Sequence, residues 1–328
     1  MKYLGKLVIA AIFIGFTSSA FAHNFSGLYI FGDSLSDAGN LALTIGTDPD
    51  QTITGNDYVP SKPYASGQLT NGDVWVSTFA HAIGLGAFSE PALAGGGNFA
   101  FGGARTGTDG VNLPPSLIAQ GGLFLRSNNG VAPNDALYVL QSGGNDARDA
   151  LAQILSGVPS ETVIEATAAQ YAHSLGVMVD QLQMAGAHRI VIWNVPNIGL
   201  APALTHLGSQ ASLLGEQMAV AMNHALSDRM SLEPGVSIFD DFSLVTQAIM
   251  NPADYGLTNV TDACGAALAC DPLSYLFWDG LHPTAAGHVL LAQHMIQMIP
   301  EPAAYLLLLA GLLVVSMQIR HRQHSADC

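Results

Sequence analysis

Ser34, in the segment Phe31–Asp37, is a side chain that could act as a nucleophile. The segment reads FGDSLSD and follows the apolar run Leu28–Phe31, which we predict to be a β-strand. Ser34 would therefore lie where a strand turns into a helix, at the sheet edge where open α/β proteins bind ligands. The N-terminus of that helix would direct partial positive charge toward an oxyanion. A serine at this position could equally serve only as the N-cap of the helix.

Two further segments follow apolar runs and could stabilise negative charge. Gly102 and Gly103 follow the run Asn98–Phe101, and glycines let backbone N–H groups approach a ligand without a Cβ atom in the way. Asn145 comes after the run Leu137–Leu140 and could donate its side-chain amide to an oxyanion that develops in acyl transfer. Taken separately, the glycines are also compatible with a tight turn and the asparagine with an Asx-turn or a cap.

An aspartate and a histidine three residues apart could activate such a serine. Asp279 and His282 lie in the segment Trp278–Pro283, directly before the last predicted helix. The carboxylate can hold one imidazole N–H and fix its tautomer, which leaves the other ring nitrogen free to take a proton from a serine. These residue types together predict nucleophilic acyl transfer, provided that the fold brings them into one place.

The segments GDSLSDAGN, NFAFGGA, GGND and DGLHPT occur in that order and resemble the signature blocks of the GDSL, or SGNH, hydrolase family. The resemblance extends from residue 29 to about residue 290, which is nearly the whole chain between its two terminal segments. The resemblance implies that Ser34 is the nucleophile and that His282 is first the general base and then the acid. It also implies that Asp279 orients His282.

The same resemblance implies an oxyanion hole and a cofactor-free reaction. The oxyanion donors would be the backbone N–H of Ser34, the backbone N–H of Gly102 and the side-chain amide of Asn145. Gly103 is the alternative glycine donor, because two adjacent glycines leave the register open by one residue. Neither a metal nor an organic cofactor is expected.

Within this family, the sequence is most similar to the exported bacterial branch of esterases, lipases and lecithinase-like phospholipases. The resemblance implies an exported serine hydrolase that cleaves carboxylic esters through an acyl-serine intermediate, with a small-molecule, lipid or glycan ester as substrate. A polysaccharide O-deacetylase or a phospholipase would use the same site, and these alternatives stay open. An inactive protein that only binds a surface is the alternative from another functional class.

Apolar β-like runs alternate with longer amphipathic segments, which predicts an α/β fold. The predicted strands are Leu28–Phe31, Asn98–Phe101, Leu137–Leu140, Ile190–Trp193 and Val236–Phe239. The predicted helices are Trp75–Ile83, Thr162–Met184, Gln210–Met230 and Thr284–Ile299. We expect a three-layer sandwich in which helices flank a central, mostly parallel five-stranded sheet, in one hydrolase domain spanning residues 23–299. The segment Thr44–Gln68 is predicted to be a long loop near the active cleft.

The first 22 residues have the pattern of a signal peptide. Lys2 and Lys6 precede an apolar run, and residues 20–22 read AFA, the small-residue pattern that signal peptidase cleaves. An uncleaved N-terminal membrane anchor is the alternative, but it would need a longer apolar run. The pattern predicts export across the inner membrane of a Gram-negative bacterium.

Residues 300–328 resemble the PEP-CTERM sorting segment of Gram-negative bacteria. They read Pro-Glu-Pro, then an apolar stretch predicted as a transmembrane helix over residues 303–319, then the basic residues Arg320 and Arg322. The resemblance implies cleavage by an exosortase-like protease and a secreted or cell-surface product. A retained tail would instead anchor the protein in the inner membrane.

The charge balance of the predicted mature body excludes nucleic acid as a partner. Between residues 23 and 300 there are six Lys and Arg residues against 23 Asp and Glu residues, a net charge of −17. Such a body would be repelled by the phosphates of DNA and RNA. Cys264 and Cys270 lie in this body and are expected to form a disulfide, because export leads to an oxidising compartment.

Overall fold

The computed structural model describes residues 25–107, 109 and 114–299. The predicted signal peptide (residues 1–22) and the predicted sorting segment with its transmembrane helix (303–319) lie outside these residues. In the described part of the chain, no helix is both long enough and apolar enough to span a bilayer.

Four parallel strands form the central sheet, in the spatial order β1-β2-β3-β4. Their bounds are β1 Leu28–Gly32, β2 Leu137–Gln141, β3 Ile190–Trp193 and β4 Val236–Phe239. The inner strands are rich in Val, Ile and Leu because both faces of a parallel sheet are covered by helices. The register pairs Gly32 with Gln141, and Gln141 with Trp193, so the carboxyl ends of these strands lie along one edge.

The prediction of five strands was wrong by one, because Asn98–Phe101 does not form a regular strand. The segment does run parallel to β1: Phe99 N–H donates to the Ile30 carbonyl at 2.7 Å, and Phe101 N–H donates to the Gly32 carbonyl at 3.1 Å. Its ladder ends early because the Gly32 N–H, which would next donate to the Phe99 carbonyl, instead donates to Gln120 Oε1 at 2.8 Å. The pairing with β1 is therefore reduced to a single bridge at Asn98.

Nine α-helices surround this sheet in the described part of the chain, and the four predicted ones agree to within a few residues. The bounds are α1 Asn40–Ile45, α2 Trp75–Ala82, α3 Leu117–Ser127, α4 Gly144–Leu155, α5 Ser160–Met184, α6 Pro202–Thr205, α7 Ser209–Met230, α8 Asp241–Met250 and α9 Ala285–Met298. The predicted loop Thr44–Gln68 holds the end of α1 and otherwise contains neither helix nor strand.

Two apolar cores lie on opposite faces of the sheet, because successive strand residues point to opposite sides. One core packs Tyr138 and Leu140 of β2 against α3, α4, α5 and α7. The other packs Val139 of β2 and Trp193 of β3 against α2, α8 and α9. The molecule is thus a three-layer α/β sandwich, as the alternation of runs in the sequence predicts.

A second, two-stranded parallel sheet precedes the last helix. It consists of β5 Asn259–Ala263 and β6 Tyr275–Phe277. Between them, Cys264 and Cys270 form a disulfide with Cα atoms 5.5 Å apart. The bridge closes the loop that connects β5 to β6, and β6 leads directly into the segment that contains Asp279 and His282.

Candidate active site

Ser34 lies in a tight turn at the carboxyl end of β1. The Asp33 carbonyl accepts hydrogen bonds from the N–H groups of Ser36 (3.1 Å) and Asp37 (3.0 Å), which closes the turn around Ser34. The prediction that a helix starts at this serine was wrong, because α1 begins six residues later, with Gly39 as its N-cap. The alternative reading of Ser34 as an N-cap falls for the same reason.

The structure places His282 directly over Ser34. The His282 Nε2 and Ser34 Oγ atoms are 2.9 Å apart, although the two residues are 248 positions apart in the sequence. On the other side of the ring, His282 Nδ1 lies 2.8 Å from Asp279 Oδ2. The Asp279 side chain is completely buried and His282 is only 6% exposed. Serine, imidazole and carboxylate therefore form one continuous hydrogen-bonded chain.

The loop that holds this pair is organised by the Asp279 carboxylate. Its Oδ1 atom accepts hydrogen bonds from the backbone N–H groups of Leu281 and His282, both at 2.8 Å. Trp278 N–H donates to the His282 carbonyl at 2.8 Å and closes the loop. The imidazole is held in place before the chain enters α9, whose N-cap is Thr284.

Tyr64 contacts the Asp279 carboxylate, although it was not among the predicted site residues. Its hydroxyl donates to Asp279 Oδ2 at 2.9 Å from within the long loop between α1 and α2. Burial, and then the negative charge of Asp279, raise the pKa of the Tyr64 phenol, so the hydroxyl keeps its proton and remains a donor. The only sequence signal was the prediction that residues 44–68 approach the cleft, which did not single out this tyrosine.

Asn145 reaches the same place from the first turn of α4. Its side chain is 7% exposed, and its Nδ2 donates to the Ala104 carbonyl at 3.0 Å, which leaves the second amide hydrogen for another acceptor. Gly143, two residues before Asn145, has φ of 110°, in the left-handed region, and an added Cβ would lie 2.7 Å from the Tyr171 ring. Only glycine fits there, and it lets the chain turn sharply from β2 into α4.

The Gly102 amide is not available to a ligand in this structure. Gly102 N–H donates to Asp37 Oδ2 at 2.7 Å, so the expected role of Gly102 as a donor needs correction. Gly103, the alternative donor, has φ of 82°, and its N–H meets no acceptor among the described residues. It lines a cavity together with Ser34, Asn145 and other residues.

Asp37 connects the serine turn to the glycine pair. Its carboxylate accepts hydrogen bonds from the backbone N–H groups of Gly39, Asn40 and Leu41 in addition to that of Gly102. The side chain is 3% exposed, and burial raises its pKa despite these four donors. Asp37 was not among the predicted site residues, yet it holds Gly102 and thereby places Gly103.

Two cavities meet at Ser34. The first, about 450 Å³, is lined mainly by aliphatic side chains of α4, α6 and α7, and we call it the apolar cavity. The second cavity, about 550 Å³, is bounded by residues of α1, the glycine pair and Pro114 and Pro115. Both include Ser34, Asn145, Arg148 and His282, so a molecule bound at the serine could extend in two directions.

Two buried acids, Asp33 and Asp241, line the apolar cavity, and the half-buried Asp146 follows Asn145 in α4. Burial raises the pKa of Asp33 to about 6 and that of Asp241 to about 8, and it also raises the pKa of Asp146. Asp146 accepts hydrogen bonds from both the N–H and the hydroxyl of Thr106. Across the described ranges, no three His, Cys, Asp or Glu side chains are arranged so that they could hold a metal ion.

The raised pKa of the buried Asp241 predicts that the stability of the fold depends on pH. An aspartate in an unfolded chain has a pKa near 3.9, so between about pH 4 and pH 8 the folded state holds a proton that the unfolded state has released. The free energy of unfolding should therefore fall as pH rises through this window, by up to about 1.4 kcal/mol per pH unit from this group. Asp241→Asn should weaken that dependence.

The measurement is urea denaturation of the purified full-length protein at pH 6, 7 and 8, both with the natural sequence and with Asp241→Asn. Asp254→Asn, which removes an exposed carboxylate, controls for the change in net charge. Parallel pH profiles for all three proteins would show that Asp241 titrates alike in the folded and unfolded states.

Comparison with known proteins gives a family match and several similar sequences. The model of the family "GDSL-like Lipase/Acylhydrolase" matches residues 28–295. Esterase EstA of Pseudomonas aeruginosa is 28% identical over 319 residues, which cover 85% of this chain and 47% of that protein. A GDSL esterase/lipase of Arabidopsis thaliana is 26% identical, covering 85% of this chain and 89% of that protein.

The chain spans about half the length of the Pseudomonas relatives that it matches. Among solved structures, the extracellular lipase of Streptomyces rimosus aligns with 84% of this chain at 17% identity and a TM-score of 0.43. The family model covers most of the sequence, including all four segments that surround Ser34 in space. The chain therefore belongs to the GDSL-like lipase/acylhydrolase family.

Proposed function

We propose that this protein is a serine hydrolase that cleaves carboxylic esters through an acyl-serine intermediate. The observation that carries the proposal is the buried chain from Asp279 through His282 to the Ser34 hydroxyl, with contacts of 2.8 and 2.9 Å. Family membership and the name of EstA support the reaction class. A protein that only bound a surface would not need these three side chains aligned.

In the first half of the reaction, His282 Nε2 accepts the hydroxyl proton as Ser34 Oγ attacks the ester carbonyl carbon. The resulting imidazolium is stabilised by Asp279, which holds the Nδ1–H. His282 then gives its proton to the departing alcohol oxygen, and the acyl group remains on Ser34. In the second half, His282 deprotonates a water molecule, which attacks the acyl-serine. His282 then returns the proton to Ser34 Oγ as the acyl–oxygen bond breaks and the carboxylic acid leaves.

The oxyanion that forms in each half would be held by the backbone N–H of Ser34, the backbone N–H of Gly103 and the Nδ2 of Asn145. We choose Gly103 over Gly102 because the Gly102 amide already donates to Asp37. One such donor contributes about 2.7–4 kcal/mol to stabilisation of the transition state. Asn145 is partly held by Ala104, so little reorganisation is needed when the substrate binds.

The apolar cavity favours an acyl chain longer than acetyl. Leu151 of α4, Leu204 of α6 and Leu214 of α7 line it, and they would give an aliphatic chain an apolar environment. Each methylene buried there contributes about 0.8 kcal/mol. An esterase or lipase of longer acyl chains, including a phospholipase, therefore fits better than a polysaccharide O-deacetylase, for which such a cavity would have no use.

We further propose that the protein is exported, with signal peptidase removing residues 1–22 and an exosortase-like protease removing the tail from about residue 300. The support is the pattern of the terminal segments in the sequence. Mass spectrometry of protein secreted by its natural host should find no peptide beyond the Pro-Glu-Pro region. Recovery of peptides from residues 303–319 in the mature form would instead indicate a retained anchor.

Ser34→Ala should abolish ester hydrolysis, because no other hydroxyl lies at His282 Nε2 in the described structure. The natural protein should hydrolyse p-nitrophenyl hexanoate, and the variant should lose at least about 10³-fold in kcat/KM. Ser156→Ala, at the exposed end of α4, is the matched control, and thermal melts should show that both variants fold. Hydrolysis at the natural rate by folded Ser34→Ala would contradict the proposal.

A series of p-nitrophenyl esters from acetate to dodecanoate tests the apolar cavity. We expect kcat/KM to rise by roughly fourfold per methylene over the first few carbons, following the transfer free energy of a methylene group. Ala211→Trp, on the cavity-lining face of α7, should remove this gain while changing acetate hydrolysis much less. Val220→Trp, on the same helix but outside the cavity, is the control.

A preference for acetate that Ala211→Trp leaves unchanged would favour the deacetylase alternative.

A further inference from the structure

We propose that Arg148 binds an anionic group, a carboxylate or a phosphate, on the ester that this protein hydrolyses. The inference rests on the proposed function and narrows its substrate class to esters that carry a negative charge close to the scissile bond. Three observations support it: Arg148 lies beside Ser34 and His282, its guanidinium pairs with no described residue, and the surrounding protein is strongly acidic.

Arg148 is placed beside the reacting atoms by the same helix that places Asn145. The two residues are three positions apart in α4, so their side chains project from the same face. Arg148 lines both the apolar cavity and the second cavity, as do Ser34 and His282. A group bound to this guanidinium would therefore lie at the junction of the two cavities, next to the serine.

The Arg148 guanidinium has no hydrogen bond or ion pair with any described residue. Two other arginines do have carboxylate partners. Arg105 forms a bidentate pair with Asp149, at 2.9 and 3.0 Å. Arg229 is held by Asp180 and Glu233. Arg148 is only partly exposed, and burial lowers its pKa, so its five N–H donors lack both protein acceptors and full hydration.

The nearby acids do not occupy this cation. Asp33 and Asp149 attract it through space, and Arg105 repels it, but none makes contact with it. Asp149 already has Arg105 as its partner. Asp241, which lines the same cavity, is held largely protonated at neutral pH by its burial. The guanidinium therefore keeps its capacity for two parallel hydrogen bonds to one ligand.

An anion is the ligand that fits this arrangement. A guanidinium fork matches the two oxygens of a carboxylate or a phosphate, and the pair is stronger when it is partly shielded from water. The predicted mature body as a whole carries a net charge of −17 and would repel such a substrate at long range. A free arginine at the junction would offset that repulsion where the ester is positioned.

The experiment compares three hexanoyl esters of phenols that differ only in the group para to the leaving oxygen. The alcohols are 4-hydroxybenzoate, its neutral methyl ester, and the monoanionic methyl phosphate of hydroquinone. Each is assayed with the natural protein, Arg148→Gln, Arg148→Lys and the control Arg126→Gln, which removes an exposed charge at the end of α3. For each ester, kcat/KM of a variant is divided by kcat/KM of the natural protein. The intrinsic reactivity of the leaving group then cancels, because it is the same in both assays.

Arg148→Gln should lower kcat/KM for at least one anionic ester by 10-fold or more, mainly through KM, and change the neutral ester by less than 3-fold. Arg148→Lys should restore part of the loss, and Arg126→Gln should behave as the natural protein. Loss with the benzoate alone identifies a carboxylate, and loss with the phosphodiester alone identifies a phosphate.

An equal loss on all three esters would overturn the proposal and leave Arg148 as a counter-charge for Asp33. No loss on either anion would overturn it as well, while hydrolysis of the neutral ester would leave the proposed function intact. Failure of the natural protein to hydrolyse any of the esters would reject both.

Discussion

The hydrogen bond between His282 and Ser34 is the interaction on which the rest of the structure depends. It joins two parts of the chain that are 248 positions apart, and it is useful only if Asp279 holds the opposite nitrogen of the ring. A serine hydroxyl is a weak nucleophile until a base removes its proton, so any tilt of the imidazole would disconnect the site. Much of the surrounding structure serves to prevent that tilt.

Two buried carboxylates fix the geometry from opposite sides. Asp279 accepts hydrogen bonds from its own loop, from the imidazole and from Tyr64, so the carboxylate that orients the base is itself fixed by several contacts. Asp37 connects the serine turn to Gly102 through four backbone N–H groups. Because each carboxylate is almost completely buried, each interaction is stronger than it would be in water, and its loss would leave buried donors without partners.

The sequence was sufficient to predict the α/β class, most strands and helices, and the triad Ser34, Asp279 and His282 as a hypothesis. Parallel strands read as short apolar runs, and the polar residues that follow them collect at one edge of the sheet. The structure brings these residues together, in agreement with that reasoning. The edge segment near Asn98 was misassigned as a strand, because the Gln120 side chain takes the Gly32 N–H that would have extended its pairing with β1, and such a distant contact leaves no mark in an apolar run.

The remaining features depend on contacts that sequence spacing cannot define. Tyr64 reaches Asp279 from an irregular loop, and no periodicity indicates which loop residue will do so. The choice between Gly102 and Gly103 depends on a single hydrogen bond to Asp37. That Arg148 pairs with none of the described residues is visible only once Asp149 is seen to pair with Arg105 instead.

The central claim, that His282 activates Ser34, is tested most directly by covalent labelling with a fluorophosphonate ester. The account predicts one added phosphonyl group, located by peptide mass spectrometry on Ser34, and labelling about 10²-fold or more slower in His282→Gln, the scale expected for loss of a general base. Modification of a different residue, or equally fast labelling of folded His282→Gln, would contradict it.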